Sequence, residues 1–177
     1  MTELSLYVLD IVQNSVTAGA SRIDVGLEES GGDLTFTVRD DGRGMSRELL
    51  GRALDPFTTT RTTRKVGLGL PFLKQLAEQT GGSLALESEP GAGTTLTAVF
   101  GARHIDMPPM GDWAGTVTTL VQGSPDIRFT FRRSGGGGDY SLDTDELREA
   151  LGGDVPLNHP DVLMWLNEFI TENERNL

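Results

Sequence analysis

The sequence predicts an α+β chain: a layered domain of helices and sheet over residues 1–101, then a smaller α+β extension over residues 102–177. Three observations carry this. Apolar residues recur at helical spacing over residues 3–18, and again after Gly67. Two pairs of segments read as strands, the first pair alternating apolar and polar residues as half-buried strands do. Glycine-rich turns join the members of each pair, which makes hairpins.

In the opening segment Leu4, Val8, Ile11, Val12 and Ser15 or Val16 form the helical stripe, and Gly19 stands where a helix ends on glycine. Arg22 to Leu27 and Leu34 to Val38 are alternating strands about the turn Glu29-Ser30-Gly31-Gly32-Asp33. Asp40-Asp41-Gly42-Arg43-Gly44-Met45 follows as a loop, and Ser46 caps a short helix. Residues 55–67 are polar and lack an apolar period, which predicts a mobile loop. Gly67 to Gln79 is the next helix, and Ser83–Ser88 and Thr94–Phe100 are strands about Glu89-Pro90-Gly91-Ala92-Gly93.

In the extension, two prolines and two glycines between residues 102 and 115 predict an extended connector. Thr116–Val121 and Ile127–Arg132 are expected to be strands of a hairpin, with Ser134 to Gly138 a flexible tip. Two helices complete it: one capped by Asp143 or Thr144, one opened by Pro160 with Val162, Leu163, Leu166, Phe169 and Ile170 as its apolar face.

Composition narrows the function classes. Of 177 residues, 37% are hydrophobic and 23% charged, as in a globular protein. There is no cysteine, so neither a disulfide framework nor a thiolate metal site exists. No apolar run approaches the roughly 20 residues needed to span a bilayer, and the N-terminal sequence has no basic leader pattern. A cytoplasmic location without membrane attachment is the expectation. The net charge of -11 would repel a nucleic acid over most of the surface, which argues against such a partner.

Four segments carry candidate chemistry. Asp10 and Asn14 lie four apart, on one helix face. Asn offers a neutral oxygen to a hydrated cation, and Asp can orient water. Asp40, ending a strand, can accept a hydrogen bond from an exocyclic amine, while the glycines after it let a flat ring approach the backbone. Gly67-Leu68-Gly69-Leu70 opens a helix whose N–H groups can hold phosphate, yet it is neither a Walker loop nor a dinucleotide fingerprint. Gly91-Ala92-Gly93-Thr94-Thr95 joins two strands. Taken singly, each segment is also what an ordinary solvated pair, turn or helix start looks like.

Their order resembles the GHKL superfamily of histidine kinases, Hsp90-type chaperones and MutL-type proteins. Residues 4–100 carry the resemblance: the first part looks most like MutL-type ATPases, and the segment from Asp55 to Phe100 most like histidine kinases. It implies the two-layer α/β sandwich called the Bergerat fold, with helices on one face of a mixed, mainly antiparallel sheet, and it implies binding of ATP and Mg²⁺. By the match Asn14 is the Mg²⁺ ligand, Asp40 binds the adenine amine, and Thr94 supports that contact. Gly42, Gly44 and Met45 would line the adenine pocket, and Gly67, Leu68, Gly69 and Leu70 would bound the phosphates. Phe57 to Lys65 would be a lid, whose Arg61, Arg64 and Lys65 can reach phosphate when closed.

The sequence also departs from the family pattern. Asp10 stands where hydrolysing MutL and Hsp90 relatives have Glu; being one methylene shorter, it sits about an ångström from the productive position, an error worth about a hundredfold in rate. Histidine kinases often have Gly where Lys65 stands. The pocket helix starts near Met1, so no phosphoacceptor hairpin is expected before it. His104 and His159 are better read as structural or exposed than as phosphoacceptors, and residues 102–177 are too short for a MutL-type transducer. The expectation is a stand-alone kinase-like module with Asp10 as catalytic residue. It would transfer phosphate to His or Ser of a separate regulatory protein. The alternative is an ATP-gated binding switch, with Trp113, Met164 and Trp165 in the tail as a docking surface unless the last helix packs on its own hairpin. A DNA-repair ATPase is disfavoured by charge and by the missing transducer.

Overall fold

The structure, a computed structural model, describes residues 3–57 and 68–177. Its sequence of elements is α1 (Leu4–Thr17), β1 (Arg22–Ser30), β2 (Asp33–Asp40), α2 (Arg47–Ala53), α3 (Gly69–Gln79), β3 (Ser83–Glu89), β4 (Gly93–Gly101), α4 (Trp113–Gly123), β5 (Arg128–Gly135), β6 (Gly138–Asp143), α5 (Thr144–Ala150) and α6 (Pro160–Glu174). The predicted mobile loop and lid, with Lys65 and Gly67, lie at residues 58–67, outside the described residues.

The strands form one open six-stranded sheet in the order β3-β4-β2-β1-β5-β6. Every neighbouring pair is antiparallel except β1 and β5, which run parallel. The fold is therefore the α+β sandwich on a mixed, mainly antiparallel sheet that the sequence predicts. Ile23, Val25 and Leu27 on β1, Phe36 and Val38 on β2, and Phe129 and Phe131 on β5 are buried under the helices. The intervening Asp24, Thr35 and Thr37 are half-buried on the other face. The β1–β2 turn works because Gly31 and Gly32 take φ of 62° and 92°, the left-handed pair a two-residue hairpin turn requires.

Residues 102–177 do not form the hairpin predicted for them. Thr116–Val121 is not a strand: it lies within helix α4, capped by Asp112, whose side chain accepts from the Gly115 N–H. Trp113, Val117, Leu120 and Val121 are buried at helical spacing, so burial outweighed the strand preference of the β-branched residues. The hairpin is instead β5–β6, and the glycine run forms its turn. Nor is the connector extended as far as residue 115, since α4 begins at Trp113. Before that, the Pro109 and Met110 carbonyls accept hydrogen bonds from Leu4 N–H and Ser5 N–H, each at 2.9 Å. They satisfy first-turn donors of α1 that no side chain caps.

Helix α6 buries Val162, Leu166 and Ile170 and packs against α4 and the hairpin. Trp113 is buried; its indole N–H donates to the Tyr140 hydroxyl at 3.0 Å, which donates to Glu174 at 2.6 Å. Burial, with Glu174 second, pushes the Tyr140 hydroxyl far above its ordinary pKa. Met164 and Trp165 remain 62% and 46% exposed. Among the described residues no helix is long and apolar enough to cross a membrane.

Candidate functional site

A hollow opens between α1, the end of β2, the loop after it, and β3–β4, with Leu70 of α3 on one wall. Its walls are mostly apolar: Ile11, Val38, Leu70, Leu86 and Leu96, with Met45 and Leu49 beside them. A slot of apolar side chains with few polar groups suits a flat heterocycle.

Asp40 lines this hollow and is 8% exposed. One carboxylate oxygen accepts from the Ser15 hydroxyl at 2.6 Å, the other from the Gly42 N–H at 2.9 Å. Each oxygen keeps a second lone-pair site, so a buried carboxylate already oriented by two donors can still accept from a ligand. Close backbone packing fixes its surroundings. A Cβ on Gly44, where φ is +68°, would lie 2.0 Å from the Glu89 carbonyl oxygen, and one on Gly93, where φ is +98°, would lie 1.9 Å from the Asp40 carbonyl oxygen. No side chain fits at either position.

The neighbouring Asp41 does different work. It accepts from the Ser21 hydroxyl and from the Ser21 and Arg22 N–H groups, which ties the end of β2 to the start of β1. The Ser21 hydroxyl, opposed by burial and helped by these amides, holds its carboxyl below the usual carboxylate range.

Asn14 lines the hollow one turn along α1 from the pocket's C-terminal edge. Asp10 lies a turn further on, exposed, and outside the hollow. It faces the start of α3: a Cβ on Gly69 would be 3.4 Å from the Asp10 carboxylate. Leu68 is the exposed N-cap residue of α3, without a side-chain cap hydrogen bond. Thr94 lines the hollow opposite Asp40 in the β2–β4 ladder, and its hydroxyl lies 2.8 Å from that of Ser88. Ser88 accepts from the Met45 N–H at 2.8 Å and donates to the Gly93 carbonyl. The structure thus brings Asn14, Asp40, Gly44, Met45, Leu70 and Thr94 to one hollow, with Gly42 behind Asp40 and Asp10 and Gly69 beside it. Lys65 and Gly67 are not among the described residues.

Ser15, Ser88 and Arg43 belong to the site but do not stand out in the sequence. A readable signal existed for Ser15, a hydroxyl on the buried face of a helix that must find a partner.

Adenine fits this donor set: apolar walls for the ring and a buried acceptor for its amine. Among the described residues no three His, Cys, Asp or Glu side chains cluster to hold a metal. Mg²⁺ takes one or two protein oxygens and relies on water and phosphates for the rest. Asn14, which lines the hollow, could supply one.

Residues 2–104 match the family described as histidine kinase-, DNA gyrase B-, and HSP90-like ATPase. Relatives include the heme sensor protein HssS of Staphylococcus saprophyticus, 34% identical over 52% of this chain and 20% of that protein. The sensor kinase CckA of Brucella abortus is 29% identical over 74% of this chain and 16% of its own length. The sensor histidine kinase ZraS of Escherichia coli is 31% identical over 53% of this chain and 20% of its own. The chain spans a fifth or less of these relatives. The Aquifex aeolicus MutL ATPase domain complexed with ADP superposes with a TM-score of 0.53 at 12% identity, over 86% of this chain and 70% of that one. The N-terminal domain of a DNA repair protein gives 0.54 at 17%, over 81% and 52%. At such identities these two structures share the fold.

Proposed function

The chain belongs to the histidine kinase-, DNA gyrase B-, and HSP90-like ATPase family, and from that premise we propose that it binds MgATP in the α1–β2 hollow and passes the γ-phosphate to a partner protein. ATP binding is the family's property; the residue roles and the transfer are our reading. The observation that carries it is Asp40: a buried carboxylate, braced by Ser15 and Gly42, at the base of an apolar slot.

Asp40 accepts a hydrogen bond from the adenine amine, and Val38, Leu96, Ile11 and Met45 exclude water from the ring. Asn14 offers its amide oxygen to Mg²⁺, which when bound neutralises phosphate charge. The uncapped start of α3 presents backbone N–H groups and a dipole to an anion, and Gly69 leaves the space before Asp10 open. Asp10, at this phosphate end, accepts the proton of an attacking hydroxyl or imidazole. Its short side chain favours an acceptor brought by a partner over a loosely held water. Exposed apolar side chains lie on the same two elements: Leu6 one turn back on α1, Leu68 at the N-cap of α3 and Phe72 within it. That combination suits docking of a protein that delivers the acceptor residue, His or Ser.

The test is γ-labelled ATP with Mg²⁺ and a candidate partner, comparing the wild type with Asp10→Asn and Asn14→Ala. Label on the partner, lost in both variants, is the expected result. Absence of ATP binding by the wild type would overturn the reading. A second reading, an ATP-gated docking switch, draws on the exposed Met164 and Trp165 of α6; tight ATP binding without transfer would favour it.

A further inference from the structure

Arg43 stands between Gly42, where a Cβ would crowd Ala18 at 2.9 Å, and Gly44, where none fits, and it is the one basic residue lining the hollow among the described residues. Its backbone is pinned at both ends: the N–H donates to the Ala18 carbonyl at 3.0 Å, and its carbonyl accepts from the Gly91 N–H at 2.8 Å. Its side chain does the opposite. It is exposed and, among the described residues, makes no hydrogen bond or ion pair, although the chain carries 26 acidic residues against 15 basic ones. A rigid mount carrying an unengaged guanidinium at a pocket mouth is organised for something that enters the pocket.

The position along α1 decides what that is. Arg43 is anchored at Ala18, the C-terminal end of the helix; Asp10 and the start of α3 lie two turns away, about 12 Å along the axis. The phosphate end is therefore remote and the base end near, where Asp40 sits. Adenine presents hydrogen-bond acceptors beside its amine, whereas guanine places a carbonyl oxygen where the amine would be. Asp40 can only accept from the amine; Arg43 can only donate.

Resting on the reading of this hollow as an adenine-nucleotide site, we propose that Arg43 is a specificity-determining donor to the ring nitrogen beside the amine that Asp40 holds. Acceptor and donor together then read two adjacent atoms of the base. Phosphate charge is no part of the contact.

Calorimetric titration tests this with ATP, 7-deaza-ATP and 1-deaza-ATP, each lacking one ring nitrogen. The wild type is expected to bind one of the two analogues about tenfold more weakly than ATP, the scale of a hydrogen bond from a charged donor. In Arg43→Ala, ATP should weaken by the same factor and the analogue should lose its deficit. The fall should be equal for ATP, ADP and AMP. Melting of the free protein should not move, because the side chain has no partner among the described residues to lose. Equal weakening of ATP and both analogues in Arg43→Ala would overturn the proposal, as would a loss that grows with phosphate number or a wild type indifferent to both deaza analogues. Failure of the wild type to bind any of these nucleotides overturns the pocket reading itself, so the two failures are distinguishable.

Discussion

Asp40 shows how much one buried carboxylate can decide. Its two fixed donors hold it as an acceptor, so Asp40→Asn should weaken ATP binding at least about tenfold and blunt the preference for adenine over guanine nucleotides, read by titration calorimetry. Ser15→Ala removes a donor from a buried charge and should lower stability by about 1–2 kcal/mol, measured by urea unfolding. The sequence shows Ser15 only as a stand-in for an apolar residue at helical spacing, because the partner that explains it comes from another element. Asp41 has the opposite character. Its carboxyl titrates lower in the folded chain than in the unfolded one, so its stabilisation is complete above the ordinary aspartate range and is lost as pH falls through the lowered folded value. Asp41→Asn should flatten the acid limb of a stability-versus-pH curve while leaving the neutral limb's shape unchanged.

At the scale of elements, the β3–β4 turn and the loop after β2 act as one unit because their backbones touch. Gly91 and Gly93 both have positive φ, but only a Cβ at Gly93 meets backbone. Gly93→Ala should therefore destabilise by about 1–3 kcal/mol and weaken ATP binding as Asp40 is displaced, with Gly91→Ala the milder control by thermal melting. The β1–β2 and β3–β4 hairpins, α1, α2, α3 and the last two helices were legible, because period, caps and glycines agreed; the β5–β6 hairpin was not, since the pattern pairs β5 with the wrong segment. Helix α4 was not. Thr116, Val117, Thr118, Thr119 and Val121 are β-branched and favour strand locally, while the helical spacing of Trp113, Val117, Leu120 and Val121 is visible only if the reading starts three residues earlier. The resemblance picked out motif residues, of which Asn14, Asp40, Gly44, Met45, Leu70 and Thr94 line one hollow; Ser88 and Arg43 depend on cross-strand and loop contacts that no linear pattern encodes.

The whole molecule has one buried core that runs from α1 through the first four strands into Phe129, Phe131, Leu166 and Ile170. A chain ending at residue 104 would bare the flank of β1 that pairs with β5 and the apolar face of α1 that meets α4. Such a truncation should lose cooperative unfolding or aggregate, checked by urea titration and light scattering. The carbonyls of Pro109 and Met110 that receive the first donors of α1 carry a further consequence, one of timing. Helix α1 is completed by residues made much later in the chain, and β1 waits for β5 in the same way. At roughly 5–20 residues per second of synthesis, the nascent hollow stands unfinished on the order of seconds. Its apolar slot is open to misfolding or to a chaperone during that interval, and refolding from denaturant should be slowed by closure of these long loops rather than by formation of the local hairpins.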